Sequence, residues 1–144
     1  MPSRRRSLLI AGCSAITALS GCQGLGQGQR PRIDLEIRNY TDEPQPLKLE
    51  LLREDEPTRS EALVLDREYT VPASDGSDDS AGTTRTSDVV PERRYLVRVL
   101  LKNGRFETFH AHYYPAESNT KAIDFGIYRD ETTENPFVDF RGLS

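Results

Sequence analysis

Two histidines, His110 and His112, are the side chains of this sequence whose type and spacing best suit metal binding. Residues two apart on a β-strand share one face of the sheet, so the pair could chelate zinc or copper with a third ligand from elsewhere. A hairpin with a two-residue turn would pair His110 with Val97 and His112 with Tyr95, on the apolar side of the hairpin. The sequence therefore favours a structural role, with both histidines half-buried near the end of a sheet.

Three aspartates, Asp75, Asp78 and Asp79, form a second candidate site, because calcium binds several carboxylate oxygens. Their spacing does not fit the EF-hand template, and the serines and glycines between them are typical of a disordered segment. We predict that residues 72–88 form a long polar loop without a metal, and that the protein carries no cofactor.

The common catalytic motifs are absent from the sequence. It contains no phosphate-binding glycine loop of the Walker or Rossmann type, no G-x-S-x-G elbow and no H-E-x-x-H helix. A small domain with short loops also offers few pockets for a substrate. We predict that the protein is not an enzyme.

The N-terminus has the plan of a signal peptide. Arg4, Arg5 and Arg6 precede an apolar run over residues 8–19, and small residues follow it. Twelve residues in a helix would cover roughly 18 Å, well short of the ~30 Å hydrocarbon core of a bilayer. We predict that the segment is cut off and not kept as a membrane span.

Four residues at the end of this run, Leu19, Ser20, Gly21 and Cys22, resemble the lipobox of bacterial and archaeal lipoproteins. The resemblance implies that Cys22 receives a lipid and becomes the mature N-terminus, which would anchor the protein to the outer face of the cytoplasmic membrane. The alternative is a buried structural cysteine. That alternative is disfavoured because no packed element is predicted directly after Cys22.

Arg5 and Arg6, followed by a serine and two leucines, resemble the twin-arginine export motif. This resemblance implies export of the protein in an already folded state. The family usually has Ser or Thr directly before the pair, whereas this chain has Arg4. Export of an unfolded chain through an ordinary Sec signal is the alternative.

The charge balance argues against nucleic acid as a partner. The chain has a net charge of −4, which becomes −7 once residues 1–21 and their three arginines are removed. Nucleic-acid binding calls for clustered Lys and Arg. The acidic, arginine-rich and lysine-poor composition resembles exported lipoproteins of halophilic archaea, although an acidic surface that aids solubility would look the same.

We divide the chain into three parts. Residues 1–21 form the signal peptide, residues 22–31 a flexible Gly- and Gln-rich tether, and residues 32–144 one folded domain. Cys13 would leave with the signal peptide and Cys22 would be lipidated, so we expect no disulfide in the mature chain.

Alternation of apolar and polar residues predicts β-strands in the folded domain. We expect an all-β antiparallel sandwich of about seven strands, with the strand patterns centred on residues 33–37, 47–51, 62–71, 95–102, 105–114, 123–127 and 137–140.

The element at residues 58–71 has two interpretations. Thr58 and Glu61 could form a capping box that opens a helix over residues 58–69. The alternating residues from Leu63 to Val71 fit a strand instead, except that Arg67 would then point inward.

The stretch PERRYLVRVLLKNGRFETF resembles the last two strands of immunoglobulin-like and fibronectin type III-like domains. The resemblance implies that Tyr95 forms a tyrosine corner after Pro91. The chain has no Trp and no cysteine pair to mark a true immunoglobulin core.

Asn39 begins the one N-x-Thr sequon of the chain, and it could carry a glycan or could end a strand. For the protein as a whole we expect a lipid-anchored surface module that contacts a protein partner or serves a structural role. The alternative is a lipoprotein that binds a small ligand or a metal ion. An exposed apolar surface would favour the first function, and converging histidines or carboxylates would favour the second.

Overall fold

Eight β-strands and one helical turn make up the structure, a computed structural model that describes residues 30–76, 80–103, 107–115 and 121–143. In chain order the elements are β1 (Arg32–Asn39), β2 (Gln45–Arg53), α1 (Arg59–Ala62), β3 (Leu63–Val71), β4 (Gly82–Pro91), β5 (Tyr95–Leu101), β6 (Thr108–Tyr113), β7 (Ala122–Arg129) and β8 (Pro136–Asp139). The predicted signal peptide, both cysteines and the predicted export motif lie outside the described residues.

The strands form two sheets of four. One sheet has the order β4-β1-β7-β8 and the other has the order β3-β2-β5-β6. All pairs are antiparallel except β1 and β7, which run parallel. The predicted all-β sandwich is therefore confirmed, with one strand more than the seven that we expected. In the described part of the chain, no helix has the length and apolar character needed to cross a membrane.

The core lies between the two sheets and is built from the inward-facing residues of each strand. Inward-facing residues of both sheets belong to one buried cluster, among them Ile33, Leu35 and Ile37 of β1 and Leu49 of β2, each at most 1% exposed. Burying one such side chain contributes about 1.5–3 kcal/mol. The apolar residues of the alternating pattern thus lie in the core, and the polar residues between them face solvent.

Strand β4 is the element that the sequence analysis missed. Residues 82–88, predicted to belong to a long loop, form most of this strand, which pairs with β1 on both sides of an irregularity between Ile33 and Leu35. The inward positions carry the half-buried Thr84 and Thr86, because β4 is the edge of its sheet and covers the margin of the core. Threonine favours strands through its branched Cβ but adds no apolar signal, so the period of two was hidden.

Both interpretations of residues 58–71 are partly right. Residues 59–62 form the single turn α1, and the chain then enters β3, which pairs with β2. The Thr58 hydroxyl donates to the Glu61 carboxylate, but it makes no capping bond to the helix backbone. A longer helix through residue 69 is wrong, because Leu65 and Tyr69 pack against the core from an edge strand.

Tyr95 forms the predicted tyrosine corner. Its hydroxyl donates to the carbonyl of Pro91 at 2.7 Å, and the side chain is 1% exposed. Burial raises the pKa of this phenol, so it stays neutral and keeps its donor. The bond ties the start of β5 to the end of β4 and thereby connects the two sheets.

Candidate functional site

The two histidines lie on the outer face of their sheet, which corrects the predicted pairing. His110 pairs with Arg98 and His112 pairs with Leu96, one residue out of the register that we expected. The Leu101 amide donates to the Glu107 carbonyl, and six residues, not two, separate β5 from β6. A shift of one residue turns every side chain of a strand to the other face, and Ala111 took the buried position.

The histidines do not converge on a metal site. His110 is exposed, whereas His112 contacts the Glu54 carboxylate through Nδ1 and stacks on Tyr114. Among the described residues, no group of three His, Cys, Asp or Glu side chains could hold a metal ion. Of the three aspartates considered for calcium, Asp78 and Asp79 lie outside the described residues, and Asp75 accepts a hydrogen bond from Ser80.

Asn39 is fully buried and bonds to two segments of the chain, the turn after β1 and the end of β3. Its side-chain amide donates to the carbonyls of Glu43 at 2.8 Å and Pro72 at 2.9 Å. Its Oδ1 accepts from the Thr41 amide at 2.9 Å and the Thr41 hydroxyl at 2.8 Å. The folded domain therefore does not offer this amide to a glycosylating enzyme, and a glycan on Asn39 remains a prediction only for a chain modified before it folds.

Three aromatic side chains cross the outer face of one sheet, at the end opposite the start of β1. The rings of Tyr40 and Tyr128 stack with centroids 4.6 Å apart, and those of Tyr128 and Phe137 lie 5.8 Å apart. We call this set the aromatic ladder. Tyr40 and Phe137 are 37% and 36% exposed, and they are two of the three exposed large apolar side chains among the described residues.

Two neighbours hold the aromatic ladder in place. The Arg141 guanidinium lies 5.4 Å from the ring centre of Tyr128 and 6.0 Å from that of Tyr40, within cation–π range. Gly126 leaves room for the Tyr128 ring, since a Cβ there would come within 2.6 Å of it. Burial raises the pKa of Tyr128, so this phenol is neutral. The result is a preformed patch of rigid aromatic rings with one arginine, the residue types that dominate binding energy at protein interfaces.

Glu50 is the centre of a charge cluster on the outer face of the other sheet. Its carboxylate accepts two hydrogen bonds of 2.7 Å from Arg59 and one of 3.1 Å from Arg98, and the Lys48 ammonium lies 3.3 Å away. Burial opposes the ionisation of Glu50, but the bonds from Arg59 and Lys48 outweigh it and lower the pKa. The cluster joins β2 to α1 and β5. We interpret its role as structural.

A pH dependence follows from this lowered pKa. A carboxylate with a lowered pKa in the folded state adds stability above its unfolded pKa of about 4.3, and that stability is lost as the pH falls through the folded value. We expect Glu50→Gln to cost about 1–2 kcal/mol at neutral pH. The cost should shrink as the pH is lowered below about 4.

Urea unfolding of the variant and the parent protein across this pH range would measure the effect. Glu131→Gln, at an exposed turn position, is the control and should change little at any pH. Burial raises the pKa of Asp124, so this group lowers the stability of both proteins as the pH rises. The difference in unfolding free energy between the variant and the parent protein removes this shared contribution. A cost independent of pH would contradict the role of the charge.

A cavity of about 510 Å³ lies at the end of the sandwich where the described chain begins. We call this end the tether end. The residues that line the cavity include Arg30, Glu54, Asp55, Arg93, Arg94 and Tyr114. Its volume is in the range of small-molecule sites in proteins.

No protein-family model matches the sequence, and no curated protein is significantly similar to it.

Sequence reasoning missed both the aromatic ladder and the tether-end cavity. Tyr40, Tyr128 and Phe137 lie far apart in the sequence, and only the parallel pairing of β1 with β7 aligns the first two. The one indication of the ladder in the sequence was an aromatic residue at an outward position near the end of each of the three strands β1, β7 and β8. The arginines of the cavity carried no signal, because they sit in turns where charged residues are common.

Proposed function

We propose that this protein is a lipid-anchored module of the cell surface that binds a protein partner through the aromatic ladder and has no enzymatic activity. The observation that carries the proposal is the ladder itself. A stacked, partly exposed set of two tyrosines and a phenylalanine beside Arg141 is costly to leave in water and suits a protein interface.

The proposed location at the cell surface supports this function. The lipobox-like residues Leu19 to Cys22 would place the lipid on Cys22, after export through the twin-arginine or the Sec route. Strand β1, with eight residues, spans about 23 Å from Arg32 to Asn39. A membrane anchor before Arg32 would therefore hold the ladder away from the bilayer, where another surface protein can reach it. The acidic, lysine-poor composition is in keeping with a halophilic archaeal host.

The alternative function is a lipoprotein that binds a small ligand. The tether-end cavity is the observation that favours it. The metal-binding form of this alternative draws no support from the described residues.

Native mass spectrometry of the protein, gently extracted from membranes of its own host, tests the proposal. We expect the parent protein to carry a lipid and a second polypeptide. The double variant Tyr40→Ser, Phe137→Ser should lose the polypeptide while keeping the lipid, with affinity reduced by about tenfold or more.

Val64→Ser is the matched control, because Val64 is 39% exposed and lies on β3 of the other sheet. It should leave the complex intact. A lipidated parent protein without a partner, or a double variant that keeps its partner, would overturn the role of the ladder. Thermal melting of each variant would show that the fold is retained.

A further inference from the structure

We propose that the tether-end cavity binds the phosphate group of an anionic membrane lipid. The phosphate site follows from the residues of the cavity. Its assignment to a lipid rests on the proposed anchoring at Cys22.

Three arginines converge on the cavity from two segments of the chain. Arg30 lies just before β1, and Arg93 and Arg94 lie in the connection between β4 and β5. The Glu92 amide donates to the Pro31 carbonyl at 2.7 Å and holds the two segments together. The backbone thus brings the three arginines to the same end of the sandwich.

These arginines form no salt bridge in the described part of the chain. Other arginines do, because Arg38 and Arg85 pair with Glu36, and Arg59 and Arg98 pair with Glu50. The Arg94 guanidinium lies 5.3 Å from the ring centre of Tyr114, and both residues line the cavity. Arginine presents a planar fork of N–H donors that suits the oxygens of a phosphate group.

The two carboxylates of the cavity do not cancel this positive charge. Glu54 is held by His112, which leaves Asp55 as the remaining acid. Counted together, the three arginines and two acids give a net charge of +1, in a protein whose overall charge is negative. The cavity is therefore a local cationic site on an acidic protein.

The position of the cavity favours a lipid as the source of the phosphate. Arg30 follows Cys22 by eight residues, which span at most about 28 Å when extended and about 15 Å on average. A lipid on Cys22 would thus hold the cavity within reach of the headgroup layer. Anionic headgroups attract nearby arginines, and the cavity would add a specific contact to the anchor.

The first experiment is a calorimetric titration of inorganic phosphate into the protein purified from membranes in a non-ionic detergent. We expect binding, reduced about tenfold or more by Arg93→Gln or Arg94→Gln. Arg67→Gln is the matched control, because Arg67 is exposed on β3 away from the cavity. No binding of phosphate, or equal losses in all three variants, would overturn the site.

The second experiment distinguishes the source of the phosphate. The protein is reconstituted in vesicles of phosphatidylcholine alone or mixed in equal parts with phosphatidylglycerol. Amide hydrogen exchange at residues 92–94 should slow only in the mixed vesicles, and less so in Arg93→Gln. Equal exchange in both vesicles would overturn the lipid as the ligand, whereas loss of the lipid on Cys22, read from the protein mass, would instead overturn the proposed anchoring.

Discussion

Replacing Asn39 with Ala is expected to lower the free energy of unfolding by about 3 kcal/mol or more. The substitution removes the donors to Glu43 and Pro72 and the acceptor for Thr41, at a position without solvent access. Buried groups left without a partner cost about 1–3 kcal/mol each. A loss of this size is a large part of the 5–15 kcal/mol that is usual for a domain of this size.

Asn39→Asp should be at least as damaging at neutral pH. It keeps the acceptor for Thr41 but turns a carboxylate oxygen toward the carbonyls that the amide had bonded. Asn135→Ala, in the half-buried turn before β8, is the control and should change stability by about 0.5 kcal/mol or less. Urea unfolding followed by circular dichroism measures all three, and a loss below about 1 kcal/mol for Asn39→Ala would contradict the hydrogen-bond role.

Because Asn39 is buried, two expectations from the sequence exclude each other: twin-arginine export and a glycan on Asn39. A protein exported by the twin-arginine route crosses the membrane folded, with this amide already bonded inside the domain. We therefore expect no glycan on Asn39 if that route is used. A glycan at this residue would point to export of the unfolded chain.

Replacing Cys22 with Ser is expected to abolish lipid attachment entirely, because the cysteine sulfur is the predicted acceptor. The mature parent protein should stay with the membrane, since two acyl or alkyl chains anchor a protein stably where one binds only marginally. The Cys22→Ser variant should have no lipid in its mass, whichever fraction it is found in.

Cys13→Ser is the control for this prediction. Cys13 lies inside the apolar run that is predicted to be removed, so its replacement should change neither the mature mass nor the membrane fraction. Fractionation and intact-mass measurement of both variants give the answer. A lipid retained in Cys22→Ser, or lost in Cys13→Ser, would refute the lipobox interpretation.

The register of the β5–β6 hairpin is a feature that the sequence did not predict correctly. The hairpin was predicted and is present, yet its loop is longer than the two-residue turn that we expected. Turn geometry decides register, and a register error of one residue moved both histidines from the predicted inner face to the outer face. The predicted hairpin is therefore correct, whereas the predicted inward position of the two histidines is wrong.

The sequence by itself determined the all-β class, most strand positions and the tyrosine corner at Tyr95. Those features depend on local periodicity and short motifs. Lipid attachment at Cys22 stays a prediction. Only the tertiary structure decided the edge strand β4, the burial of Asn39, the aromatic ladder and the convergence of Arg30 with Arg93 and Arg94. The physical reason is that these features depend on pairings between distant strands, whose register is set by the whole core and not by any one segment.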